Sequence, residues 1–296
     1  MDILIVGNTA REHILAWKFA ESRKIGNLYC TSPYSGVDTL CIRVDEPLSA
    51  WRATHPVDFT IGEDDACLYQ ASAPCPIDRV RVTVDCLTDG HRIVPLPAVR
   101  ILYTADGEAY AAETPARAYT PDIAHRAYHR YFVPYIRIHN GNVSSIRGLI
   151  RFELMICDGE PELLTVNRGF GELDALALLP LLRGELFGVL KACVDGGLTQ
   201  EVVHIQKQAC VVLMLGAKEM DVPVSGLAEV AKNTGVFMGT VHFGEGQMQT
   251  AGRRALFVCG KGPDIRSAAR LACNGAEKIA FDGIVRYQLG HGATTI

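Results

Sequence analysis

No stretch of the sequence approaches the roughly 18 apolar residues that a membrane helix needs, and Met1-Asp2-Ile3 lacks the basic start of a secretory leader. Neither sign of charge dominates. The 29 Lys and Arg stand against 33 Asp and Glu, a formal charge of −4, which gives no electrostatic bias toward nucleic acid or anionic membrane. Ten cysteines are present, yet none falls in a Cys-x-x-Cys pair. Their scatter reads as small buried hydrophobes in a reducing compartment and argues against zinc. What remains is a cytoplasmic globular protein with no nucleic acid, membrane or metal among its expected partners.

Glycine is scarce where it would be most useful. Ile3 to Val6 read as a buried strand running into Gly7 and then into a helical pattern with Ile14, Leu15 and Trp17, the usual opening of a βαβ nucleotide-binding unit. After Gly7 the turn continues Asn8, Thr9, Ala10, so a single position keeps the freedom that lets backbone approach a phosphate. Gly7, Asn8, Arg11, Glu12 and His13 stand where an anion would meet the helix start. The structural alternative is that they pack and cap the first helix.

With 48% apolar residues in a chain of 296, two or three small domains sharing a sizeable core are expected. Residues 1–72 alternate strand and helix, including "NLYC", "TLCIRV" and "VDFTIG", which implies a parallel, Rossmann-like α/β sheet. Glu63, Asp64 and Asp65 follow its last strand as an acidic cluster for an amine or a metal, or as a solvated loop. "ASAPCPID", Ala71 to Asp78, breaks the pattern and marks a boundary.

Residues 79–199 differ in kind. "RVRVTVDCL" turns at Asp89-Gly90 into "HRIVPLP" as a hairpin, a helix runs from Pro121 to about His139, and two strands flank Asp158-Gly159. An apolar helical region then runs from Leu173 to about Val194. Residues 200–296 form a small α+β module with strands in "QACVVLMLG", "GVFMGTVHF" and "RRALFVCGKG". Its helix begins at Pro263-Asp264. His125 and His129 are four apart, a spacing that zinc can use, but no third ligand accompanies them and an exposed polar face is the plainer reading. His242 and His291 are flanked by glycine and have no nucleophile partner.

Several separated stretches resemble one family in order. "GNTAREHILAWK", "VDFTIGEDDACL", "GEAYAAETPA", "ELLTVNRGFGELD" and "AGRRALFVCGKG" are similar to segments of glycinamide ribonucleotide synthetase, also called phosphoribosylamine-glycine ligase. The resemblance implies a reduced ATP-grasp-like α+β domain in the middle of the chain. It also implies ATP-driven activation of glycine, with magnesium held by a Glu and by an Asn two residues later. Here those positions are Thr165 and Asn167, and a neutral hydroxyl suits a hard divalent cation poorly. The family's Arg-Phe-Gly-Asp-Pro-Glu falls on Gly169 to Asp174, placing its acids at Glu172 and Asp174, with Arg168 one residue away from the family's Arg. A structural turn is the alternative reading for Asn167, Arg168, Glu172 and Asp174.

The stretch where the family's lid over the ATP phosphates would lie is skipped. ATP and magnesium, expected in the family, are therefore not expected as cofactors here. The expected function is that of a divergent relative that has lost ATP-dependent ligation. It would bind or convert a phosphoribosylamine-like or amino-acid-like small molecule, as in nucleoside-like specialised metabolism. Two alternatives stay open: a non-catalytic subunit supporting a partner enzyme, and a ligase active only with a partner chain. A homodimer or a partner enzyme is the macromolecular association to look for.

Overall fold

The apolar opening forms β1 (Ile3–Ile5), fully buried. Beside it lie β2 (Leu28–Cys30), β3 (Ile42–Arg43) and β4 (Phe59–Ile61), in the order β3-β2-β1-β4 and all parallel. In this computed structural model residues 1–62, 67–70, 80–139, 146–231, 234–287 and 289 are described. The helix α1 (Ala10–Ala20) buries Ala10, Ile14, Leu15 and Phe19 beside Ile3 and Ile5, each large side chain worth about 1.5–3 kcal/mol. A second helix, α2 (Leu48–Thr54), sets Trp51 with Leu4 and Val44 in a separate cluster. Because the sheet's order reverses between β1 and β4, its crevice opens beyond the ends of these two strands, at Gly7 and Gly62.

The next strands are β5 (Cys67–Gln70), β6 (Val80–Thr88), β7 (Ile93–Pro95), β8 (Val99–Tyr103) and β9 (Ala109–Thr114). β6 and β7 pair antiparallel, as the Asp89-Gly90 turn predicts. The helix expected over Pro121 to His139 is α3 (Pro121–Ala127) and α4 (Val133–His139), joined by a wide turn over Tyr128–Phe132 in which the Val133 N–H reaches back to the Tyr128 carbonyl. Pro134, which lacks an N–H and crowds the preceding turn, accounts for that widening. Two long strands follow, β10 (Gly148–Cys157) and β11 (Glu160–Arg168), paired antiparallel.

The apolar region from Leu173 does not form one helix. It divides into α5 (Glu172–Leu178), a short turn containing Pro180, the strand β12 (Leu182–Arg183) and α6 (Leu186–Asp195). Pro180 and the left-handed Gly184 interrupt it, and β12 pairs instead with β13 (His204–Ile205). The remainder is β14 (Ala209–Ala217), β15 (Thr234–Met238), β16 (Val241–Gly244), β17 (Gln247–Thr250), β18 (Arg254–Gly262), α7 (Ile265–Lys278) and β19 (Ile284–Arg286). Asp264 caps α7 by accepting the Ser267 N–H at 2.8 Å.

These strands form one large antiparallel sheet in the order β15-β18-β14-β9-β8-β6-β10-β11-β5, with β7 added on β6 and β19 on β14. The pairing of β9 with β14 carries the sheet without a break across residues 199 and 200, and β5, within residues 1–72, joins it at the far edge. Ala71 to Asp78 lie outside the described residues. No helix of the described residues is long and apolar enough to cross a membrane.

Candidate functional site

Alternation along the central strands separates two faces. Val82, Val84 and Cys86 of β6 pack with Ile150, Phe152 and Leu154 of β10 under Phe132 and Ile136. The opposite face carries a polar grid. Thr83, Glu153 and Thr165 stand opposite one another across β6, β10 and β11, and one step along stand Asp85, Arg151 and Asn167.

The grid is bonded within itself. Thr165 Oγ1 donates to Glu153 at 3.1 Å and Asn167 Nδ2 donates to Thr165 at 2.9 Å, while Arg81 lies 3.7 Å from the Glu153 carboxylate. Asp174 comes down from α5 onto the same face. It accepts from the Thr83 hydroxyl and lies 3.6 Å from Arg151. Gly171, just before α5, permits this approach, because a Cβ there would overlap both Arg151 and Asp174. Asp85 is fully buried and neither of its carboxylate oxygens has a hydrogen-bond partner. Burial and the neighbouring Asp174 push its carboxyl well above the ordinary range, with Arg151 acting the other way.

At the start of α1 the phosphate-type turn is filled by the protein's own carboxylates. Thr9 is the N-cap and Glu12 completes a capping box. Glu12, fully buried, accepts from the Thr9 N–H at 2.6 Å, the Thr9 hydroxyl at 2.7 Å and Arg11 Nε at 2.7 Å. Gly7 has φ +149°, and a side chain there would overlap Glu12. From α5, Glu172 accepts the Ala10 N–H at 3.0 Å and is held by Arg254 at 2.7 and 2.9 Å. The donors that a helix start would offer to an anion are thereby engaged.

The remaining expected residues divide. His13 is buried, and its Nδ1 accepts the Met238 N–H at 2.8 Å, tying α1 to β15. Burial holds its pKa down at about 4, so the ring is a neutral acceptor. Asn8 is exposed. Glu63 and Asp64, with Asp65, lie outside the described residues, as does His291. His125 and His129 pack with tilted rings, centroids 4.4 Å apart and planes at 59°, and no cluster of three or more His, Cys, Asp or Glu suited to a metal occurs among the described residues. His242 lies 3.4 Å from Asp221.

Arg11 and Arg168 meet at a cavity of about 330 Å³ between the first sheet, α6 and the ends of β10 and β11. Arg147 and Lys191 also line it, and its walls include Phe19, Phe59, Phe170 and Phe187. Sequence reasoning missed Asp85, Arg151, Glu153, Arg147, Lys191 and Arg254. A trace of Asp85 was there: one acid stands inside "RVRVTVDCL", a strand long enough to be central.

Residues 1–72 match the model of the phosphoribosylglycinamide synthetase N domain. Among curated relatives, the phosphoribosylamine–glycine ligase of Synechocystis is 31% identical over 230 residues, covering 72% of this chain and 55% of the relative. That of Ralstonia nicotianae is 28% identical over 190 residues, covering 62% and 45%. The chain thus spans about half the length of the curated relatives it matches. Among solved structures, the phosphoribosylamine–glycine ligase of Thermotoga maritima superposes with a TM-score of 0.78 at 16% identity, covering 97% of this chain and 99% of that one. A biotin carboxylase domain of a single-chain bacterial carboxylase gives 0.67 at 9% identity, covering 96% and 90%. The fold is ATP-grasp-like, and the chain is related to the phosphoribosylamine–glycine ligases.

Proposed function

We propose that this chain has lost ATP-dependent ligation. In its place it binds, or converts without ATP, a small anionic molecule of phosphoribosylamine-like or amino-acid-like type, working in the cytoplasm in specialised, nucleoside-like metabolism. The observation that carries this reading is the donor set around Thr165. A hydroxyl stands where the resemblance expects a carboxylate, Asn167 is turned onto that hydroxyl, and Glu153, the nearby carboxylate, has a guanidinium beside it. Magnesium asks for near-octahedral oxygen ligands, usually with carboxylates. One carboxylate already facing an arginine, one hydroxyl and one amide do not fit it.

Two further observations agree. Only residues 62–79 separate β4 from β6, a span too short for the lid subdomain with which the family clamps a triphosphate. The start of α1 is closed by Glu12 and Glu172, which leaves the cations of the neighbouring cavity as the place for an anion. Thermal-shift measurements test the reading: ribose 5-phosphate or glycine raises Tm, and ATP with magnesium does not. A rise with ATP and magnesium alone overturns it, as does a stable complex with a partner enzyme and no response to any small molecule.

A further inference from the structure

The cavity between the first sheet and α6 combines two features that select a ligand. Arg11, Arg147, Arg168 and Lys191 line it; Arg11 is ion-paired with Glu12 and Lys191 with Asp195, but no Asp or Glu is among its described lining residues. Its body is carbon, with four phenylalanines together with Leu15 and Leu190 on the walls. Thr60 supplies the sole side-chain hydroxyl among the described lining residues, and that oxygen accepts from Arg52 at 3.3 Å.

A sugar phosphate matches one half of this surface and not the other. Its phosphate would meet the cations, but its hydroxyls would lie against rings that offer no hydrogen bonds, and a buried hydroxyl without a partner is unfavourable. Most small-molecule sites are apolar chambers oriented by a few polar groups, and charge-assisted bonds to Arg or Lys are the strong ones.

We propose that the cavity takes a small amphipathic anion, a single carboxylate or phosphate head on an aromatic or aliphatic body, in preference to a sugar phosphate. The head sits among the four cations and the body lies along Phe19, Phe59 and Phe187. This rests on the reading above that the crevice is a ligand site, and within that reading it narrows the ligand to the amino-acid-like side, a carboxylate on an apolar body, and away from the phosphoribosylamine-like one.

Isothermal titration of the full chain with 4-phenylbutyrate, its neutral analogue 4-phenylbutanol, and ribose 5-phosphate tests it. The expected result is that 4-phenylbutyrate binds at least ten-fold more tightly than either of the others, with affinity falling as salt is added. Changing Arg147→Gln together with Lys191→Gln weakens that binding at least ten-fold while the circular dichroism spectrum is unchanged. Should the double variant not fold, the comparison of acid with alcohol on the unaltered chain still decides. Equal binding of the alcohol overturns the role of the cations. Tightest binding of ribose 5-phosphate overturns the amphipathic class and leaves the crevice as an anion site, whereas no binding of any of the three overturns both.

Discussion

Glu172 accepts the backbone N–H of Ala10 at 3.0 Å across 162 residues of sequence. A carboxylate at the head of α5 thus serves as the anion at the head of α1, and Arg254 holds it in place. Replacing Glu172→Ala leaves that N–H and the guanidinium without their acceptor, for an expected loss of about 1–3 kcal/mol. Glu172→Gln, which keeps an acceptor oxygen, loses less. Urea unfolding measures both, and an Ala variant as stable as the parent contradicts the closed-turn description.

Gly7 tests the same closure from the other side. Its φ of +149° and the overlap that any Cβ would make with Glu12 predict that Gly7→Ala costs about 1–3 kcal/mol. A thermal melt reads this directly, and an unchanged Tm would mean that Glu12 is not fixed against the turn.

His13 makes stability depend on acid. Its folded pKa is held down at about 4, against about 6.5 when unfolded, so below pH 6.5 the unfolded chain binds the proton first. Stability is lost as pH falls from about 6.5 to about 4, by roughly 3 kcal/mol from this group. In His13→Gln that slope disappears, which chemical unfolding at several pH values will register. A variant whose pH profile parallels the parent's contradicts the buried, neutral imidazole.

Asp85 acts in the opposite direction. Its folded pKa is raised, chiefly by burial, so its contribution is fully present below about pH 3.8 and is lost as pH rises toward the elevated folded value. Asp85→Asn is therefore expected to stabilise the protein at pH 7 by ~1–4 kcal/mol, with the gain vanishing near pH 3.5. Loss of stability at pH 7 would show that the carboxylate is compensated where it lies.

Much of the first sheet could be read from the chain, because each strand is a short apolar run ending in a glycine or polar turn, and Thr9 with Glu12 forms a cap within four residues. The large sheet was harder. Its β9–β14 pairing joins Thr114 to Cys210, a long-range contact that no local pattern encodes. Pro180 and Gly184 divided an apolar run that read as one helix, since apolar content alone does not fix helix length. For the site, the sequence placed Glu12 at the anion position before α1 and Glu172 in the region of the family's metal, but could not show that both carboxylates close the same turn. That depends on α5 docking on α1, and Arg254 enters from a strand more than 80 positions later.

The most direct test follows ADP formation by the purified chain supplied with ATP, magnesium, glycine and phosphoribosylamine. With Thr165 where the resemblance expects the metal's carboxylate, and only residues 62–79 between β4 and β6, the proposed function expects the chain to release no ADP above the protein-free control. Sustained ADP release that requires both glycine and phosphoribosylamine would contradict the account.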